Sequence, residues 1–384
     1  MPRFVRKLKV AKTDPLDQLA LASGDLYSRV VVYFWRTVRK KGIWLSPNAL
    51  MKIFKSDDLH SQSAQATIQT FCASLKSWRV RRKVDPEAKP PRRGRRFFKV
   101  IWKGQAIQLR DGQLILPNGR GNEPYTLKWR FDKPKQVEMG WNGQSYELRA
   151  TYVTDESATQ ISGDGIAAVD LGEIHPATTF DSTESVIYNG RLLRSKKQYQ
   201  NKLKARLASR IDTKKKGSRR WRRLVKAKKR HLASIQNQIR DIEHKQSRAL
   251  VSTLLNARVQ TLVIGDVRDI RQGLDYGKRA NQKLHQWCHG RFRHLITYKW
   301  EMLGGEVALQ DEAYTSSTCP RCEDRHKPKG RTFKCRCGFS AHRDCVGAIN
   351  ILQKYQGCGP VVGDMAPPSR GVRYHPHLVC RSEA

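Results

Sequence analysis

No run of about 18 apolar residues occurs in the 384-residue chain, and its basic start, MPRFVRKLKVAKTD, is not followed by an apolar core. Neither a membrane span nor a signal peptide is therefore expected. Acidic residues are scarce: 34 Asp and Glu stand against 74 Lys and Arg, a formal net charge of +40. That excess is far beyond what solubility requires and points to a polyanionic partner. The nine cysteines are odd in number and mostly scattered, which excludes a disulfide scaffold. The tight group Cys319, Cys322, Cys335 and Cys337 instead suggests a metal in a reducing compartment, with cytoplasm or nucleoid as the expected location. Residues 1–160 lack a nucleotide-binding glycine loop. Hydrophobic residues at 39% and aromatics at 8% are enough for two or three domains with buried cores.

Two textures divide the first 160 residues. Apolar positions recur at helical spacing in LDQLALASGDLYSRVVVYFWRTVRKKGIWLS and again in SQSAQATIQTFCASLKSWRV, which predicts paired helices over about 14–80. The segments FFKVIWKG, AIQLRDG, QLILPNG, YTLKWRFD, QVEMGWNG and SYELRATYV then alternate apolar and polar residues between turn residues, predicting a meander or small β-barrel. The intervening RRKVDPEAKPPRRGRR (81–96) reads as a loop whose Arg92, Arg93 and Arg95 are candidates for phosphate contact. From residue 161 a different architecture is expected. A buried strand GIAAVDLG, a hairpin of ATTFD and ESVIYNG, and a polar helical region to about 258 come first. The strand TLVIGDV, a helix, the strand EVALQDE, the cysteine pairs and a final helix complete the order of an RNase H-like α/β fold. The segment 357–384 has no period and is expected to be a flexible tail.

In that topology the first and fourth strands lie parallel and adjacent, so Asp170 and Asp266 end near one crevice. Asp311 and Glu312 end the next strand, and Asp344 begins the last helix. Each acid alone has an ordinary reading as a loop start or helix cap. Several at convergent strand ends in a +40 protein suggest a catalytic cluster. Hard oxygen ligands suit Mg²⁺, and two such ions clamping a phosphodiester make hydrolysis the natural reaction. The cysteines form a CxxC knuckle, Cys319 to Cys322, and a shorter CxC pair, Cys335 and Cys337. Two close pairs on a hairpin supply the four ligands of one structural zinc. Because a single spacer strains the second knuckle, His326 or His342 is an alternative ligand.

Taken in order, VDLGEIHPATTF, IRDIEHKQSRALV, TLVIGDVRDI, EAYTSSTCPRC with FKCRCGF, and HRDCVGAINIL resemble the RuvC-like nuclease of TnpB proteins, transposon-encoded relatives of type V CRISPR effectors. The match spans roughly 165–355; residues 1–160 resemble the family's wedge-plus-recognition region only in texture. The resemblance implies an RNA-guided DNA endonuclease in a prokaryotic cytoplasm, nucleoid-associated, with guide RNA and double-stranded target DNA as partners and no membrane. Compact relatives work as monomers or as dimers. The family's acids map onto Asp170 and Asp344. Where many relatives carry Glu in the second motif, this sequence has Gly265, which leaves three readings: Asp266 serves, the site is inactive, or Glu312 fills the gap. Glu312 is favoured, because glycine leaves room for a longer side chain and strand alternation turns Asp266 to the opposite face.

The expected organisation is thus a wedge-like β module over 1–160 and a RuvC-like domain over 161–314 with a basic helical region at 191–258. A zinc finger at 315–340, a closing helix at 341–356 and the tail follow. In the basic region, Lys214, Lys215, Lys216, Arg219, Arg220, Arg222 and Arg223 would repel one another on a bare helix, and a nucleic-acid backbone relieves that penalty. Tyr199 and Trp221 there are expected either to anchor the helices to the sheet domain or to stack on a base, with anchoring favoured, and His244 is expected to be packed, or to orient substrate if it lies near the crevice. Three functions follow: an RNA-guided endonuclease, transposon-associated or a compact type V effector; a nuclease-inactive RNA-guided repressor; or a guide-free basic DNA-binding protein.

Overall fold

A computed structural model describes residues 3–93, 96–143, 145–153, 161–268, 275–287, 289–326, 328, 330–357 and 367–373, except the side chains of residues 279 and 373. The chain forms two compact units, Arg3–Thr154 and the residues from Asp155 onward. Arg95 lies outside the described residues.

In the first unit the strand β1 (Arg3–Val10) precedes three helices, α1 (Asp14–Lys41), α2 (Pro47–Ile53) and α3 (Ser61–Val84). Pro15 and the acids Asp14 and Asp17 suit the first turn of α1, and Arg39, Lys40 and Lys41 suit its last. Six more strands follow: β2 (Val100–Lys103), β3 (Gln108–Arg110), β4 (Gln113–Leu116), β5 (Tyr125–Lys128), β6 (Gln136–Trp141) and β7 (Tyr146–Val153). They pair as a four-stranded sheet β1-β7-β6-β2 and a three-stranded meander β3-β4-β5. Among the described residues, the expected barrel is therefore two open sheets sharing one core with the helices. Pro134, without an amide donor, lies in the connection from β5 of one sheet to β6 of the other. The helices lie in sequence between β1 and the other strands. The basic start is itself a strand, paired along its whole length with β7. Helix α3 runs on into the supposed linker, which is then held by two indole donors, Trp78 to the Ala88 carbonyl at 2.8 Å and Trp35 to that of Pro91 at 3.1 Å. Arg92 and Arg93 beyond them are exposed.

The second unit is built on β8 (Gly165–Asp170), β9 (Ala177–Phe180), β10 (Ser185–Asn189), α4 (Arg191–Asp212), α5 (Arg219–Asn256), β11 (Val259–Asp266), α6 (Gly277–Gln286), α7 (His289–Glu301) and β12 (Glu306–Asp311). The hairpin β13 (Thr332–Lys334) and β14 (Ser340–His342), the helix α8 (Arg343–Gln356) and β15 (Ser369–Arg373) complete it. The sheet order is β12-β11-β8-β9-β10-β15. Strands β8, β9 and β10 are antiparallel neighbours, whereas β11 is parallel to β8 and β12 to β11. Ser369–Arg373 pairs in parallel with β10, so the expectation of a flexible tail fails for this segment. Edge pairing uses backbone groups and needs no apolar period.

Strand alternation sorts the sheet into two faces. Ala167, Val169, Leu262 and Ile264 pack with Leu250, Leu254, Phe292, Ile296 and Trp300 of α5 and α7. Ala168 and Val263 pack with Val346, Ile349 and Ile351 of α8 and with Phe333 and Phe339 of the cysteine-bearing hairpin. Helix α5, 38 residues long and so about 57 Å, pairs with α4 through Leu203, Leu207, Ile235, Ile239 and Ile242. No helix of the described residues is long and apolar enough to cross a membrane.

Candidate active site

Asp170 is the last residue of β8, two positions on from Ala168, and so faces α8. There it meets Gly347 closely: a Cβ at that position would lie 2.7 Å from the Asp170 Oδ2, so the carboxylate would have to move. Burial, then the charges of Glu312 and Asp344, push the Asp170 carboxyl well above the usual carboxylate range, with Arg343 acting the other way.

Gly265 is paired with Gln310 and lies beside Asp170 on the same face. A Cβ at Gly265 would stand 2.6 Å from the Glu312 Oε2 and 3.5 Å from the Glu312 Cβ. The Glu312 carboxylate thus occupies the space above the glycine. Its Oε2 is buried with no hydrogen-bond partner, and burial, with Asp266 and Asp311, raises the group to about 7. Asp266 is on the other face. Its carboxylate accepts from the Arg268 Nε at 2.8 and 2.9 Å and faces the Arg293 Nη1 at 3.3 Å. The Arg268 hydrogen bond, chiefly, holds it below the ordinary value.

Asp344 opens α8 with its backbone N–H donated to the Nδ1 of His342, the N-cap residue, at 3.3 Å. The charges of Glu312 and Asp344 both act on Asp170, but among the described residues the three acids are not a group whose ligand atoms all lie within 4.8 Å. Repulsion among carboxylates opposes closer approach. One such group does occur beside them and escaped the sequence reading: His175, His342 and Asp344. Its signals were present, a histidine in the turn after β8 and another two residues before Asp344.

The four cysteine sulfurs come together, with Cys319 Sγ 3.6 Å from Cys337 Sγ and Cys322 Sγ 3.5 Å from Cys335 Sγ. Tetrahedral zinc, with Zn–S near 2.3 Å, places sulfurs about 3.8 Å apart, so the set fits a metal despite the single spacer. Gly338, at φ +91°, supplies the turn, and the Phe339 amide holds the Cys337 thiol down to about 7. His326 has its Nε2 2.9 Å from the Lys334 carbonyl oxygen and also groups with Asp324 and Cys335, while His342 caps α8; the four sulfurs alone complete a tetrahedral set.

The cysteine segment is tied to both acids. The Asn350 amide on α8 donates to the carbonyls of Thr315 at 2.6 Å and Thr318 at 2.7 Å, and Gln353 donates to that of Pro320. Thr315 in turn donates its N–H and hydroxyl to the Glu312 carbonyl at 3.1 and 2.9 Å.

At the far end of the α4–α5 hairpin, Lys215, Lys216, Arg219, Arg220, Arg222 and Arg223 are exposed and Lys214 is partly so. Gly217 at φ +86° makes the turn and Ser218 caps α5. Tyr199 is 53% exposed and does not anchor the hairpin as expected; the facing aliphatic side chains suffice. His244 is also exposed rather than packed, because the buried stripe of α5 runs through Glu243, Gln246 and Ser247.

Residues 150–271 match a family described as a probable transposase, and residues 289–351 match the Cas12f1-like TNB domain. The TnpB-like protein ORF457 of Acidianus two-tailed virus is 24% identical over 240 residues, 60% of this chain and 51% of that protein. Over that stretch the chain is similar to a TnpB-like protein. Protein R186 of Acanthamoeba polyphaga mimivirus is 28% identical over 183 residues, 46% of this chain and 36% of that one. The chain thus spans about a third to a half of these two relatives. Among solved structures, the Cas12f1 chain of a complex with sgRNA and target DNA shares the fold at a TM-score of 0.56 and 11% identity. That alignment covers 88% of this chain and 81% of the other.

Proposed function

We propose that this TnpB relative is an RNA-guided DNA endonuclease whose catalytic acids are Asp170, Glu312 and Asp344, carried by an RNase H-like (RuvC) sheet with an inserted zinc finger. The observation that carries the reading is the Glu312 carboxylate above Gly265, on the face that Asp170 shares. A buried carboxylate oxygen without a partner, beside a second acid whose proton is held by burial and like charge, is a donor set that suits a hard divalent cation. Asp170, Glu312 and Asp344 would hold Mg²⁺, two ions by family resemblance, which when bound supplies an activated water and charge stabilisation at the scissile phosphate. The protein's own groups fix this geometry: Gly347 lets Asp170 approach α8, Gly265 leaves room for Glu312, and the Thr315–Asn350 relay joins the ends of β12 and α8. Asp266, held by two arginines on the opposite face, orders the end of β11 and takes no part in the chemistry. Gly265, the feature that would point to an inactive repressor, is instead the room that Glu312 uses.

The cysteine cluster takes one zinc and has a structural role. Guide RNA and target DNA are the polyanions that the +40 charge serves, with the Lys214–Arg223 tip of the hairpin and Arg92 and Arg93 on backbone phosphates. Co-expression with the transcript encoded beside its gene tests this. A specific RNA should co-purify and direct Mg²⁺-dependent cleavage of a plasmid that matches it, and Asp170→Ala should abolish cleavage while retaining the RNA. Protein free of specific RNA, with guide-independent DNA binding, would favour a plain basic DNA-binding protein instead.

A further inference from the structure

Beside the carboxylates lies a second group of donors of different chemistry. His175, His342 and Asp344 each offer a ligand atom, all within 4.8 Å of one another. The two imidazole rings meet edge to face with centroids 5.6 Å apart. His175 is 7% exposed and its Nδ1 has no hydrogen-bond partner, an arrangement that costs desolvation unless a ligand repays it. The turn that carries it is fixed on both sides: the Gly190 N–H donates to the Ile174 carbonyl at 3.0 Å, and Arg194 pairs with Glu173 at 3.1 Å. His342 and Asp344 are fixed in their turn by the start of α8.

We propose that His175, His342 and Asp344 form a cation site for a borderline first-row transition ion of the Co²⁺ or Zn²⁺ type, sharing Asp344 with the carboxylate centre. Two imidazole nitrogens and one carboxylate select such ions over Mg²⁺, which prefers oxygen alone. Three protein ligands leave an open position for water or a phosphate oxygen. Two neutral rings, one carboxylate and a divalent ion carry net positive charge, set against the crowded acids Asp170 and Glu312. The site goes beyond the nuclease reading and is read by binding rather than by cleavage, so failure of one leaves the other standing.

The test is an optical titration of the full-length, zinc-loaded protein with Co²⁺. The expected result is one further Co²⁺ per chain, giving weak visible ligand-field bands and none of the intense near-ultraviolet charge transfer of thiolate ligation. His175→Gln and His342→Ala should each weaken that binding by about tenfold or more, the scale on which even residues behind the ligands act. The double variant Asp170→Asn, Glu312→Gln should retain it. Zinc content and thermal melting report whether each variant is folded, and the partly exposed His342 keeps the test valid if His175→Gln does not fold. No Co²⁺ beyond the cysteine cluster, binding unchanged in a folded histidine variant, or loss confined to the carboxylate double variant would overturn the proposal.

Discussion

At the scale of single residues the decisive relation is between Gly265 and Glu312. A Cβ at 265 would collide with the Glu312 carboxylate, so Gly265→Ala should lower cleavage by about 10²-fold through misplacement alone. Moving the acid, Gly265→Glu with Glu312→Ala, should return part of the activity that Glu312→Ala loses; plasmid cleavage rates measure both. The raised Glu312 value also fixes a pH dependence. Its proton is held more tightly in the native state, so its contribution is most favourable below the unfolded value of 4.5 and is lost as pH rises through about 7. Protein without added divalent cation should lose up to about 3 kcal/mol across that window from this group, and Glu312→Gln should flatten the loss. Because binding needs the ionised carboxylate, Mg²⁺ should raise Tm more near pH 8 than near pH 5. Melting curves at both pH values check this. The placement of Asp170 and Glu312 at neighbouring strand ends was legible in the sequence, because strand alternation is a strict rule and the glycine at 265 leaves a countable gap; their catalytic role is proposed. The grouping of His175 with His342 and Asp344 was missed although both histidines stand next to the motifs, because nothing in a single histidine tells a candidate ligand from a packed ring.

At the scale of elements, α8 and the cysteine segment act as a brace. Asn350 satisfies two carbonyls of the segment, and Thr315 passes the constraint to Glu312. Removing the amide with Asn350→Ala leaves buried carbonyls unpaired and should cost about 1–3 kcal/mol, with cleavage falling more than RNA binding does. A variant with reduced stability but a full cleavage rate would show that the brace is dispensable to the site. The order of strands and helices in the second unit could be read from apolar runs and turn residues. Two strands could not. The basic β1 gains its place from the full-length ladder with β7, and Ser369–Arg373 from the backbone of β10; neither carries a hydrophobic period that would announce it. The open sheets of the first unit were misread for a related reason: alternation reveals strands but not which ends close on one another.

At the scale of the whole molecule, the charge of +40 predicts salt-sensitive binding of nucleic acid. Replacing Lys214, Lys215 and Lys216 by Ala should make the slope of log K against log salt shallower by about 2–3, close to one unit per phosphate contact. An unchanged slope would remove the hairpin tip from the interface. Cleavage itself is proposed to depend on Glu312, not Asp266, as the acid that joins Asp170 and Asp344. The most direct measurement is Mg²⁺-dependent cleavage of a matching plasmid by the RNA-bound protein with each acid changed singly to Ala. Glu312→Ala should show no detectable cleavage and Asp266→Ala substantial cleavage, with both proteins folded and carrying RNA. Normal cutting by Glu312→Ala together with loss in Asp266→Ala would contradict that dependence on Glu312.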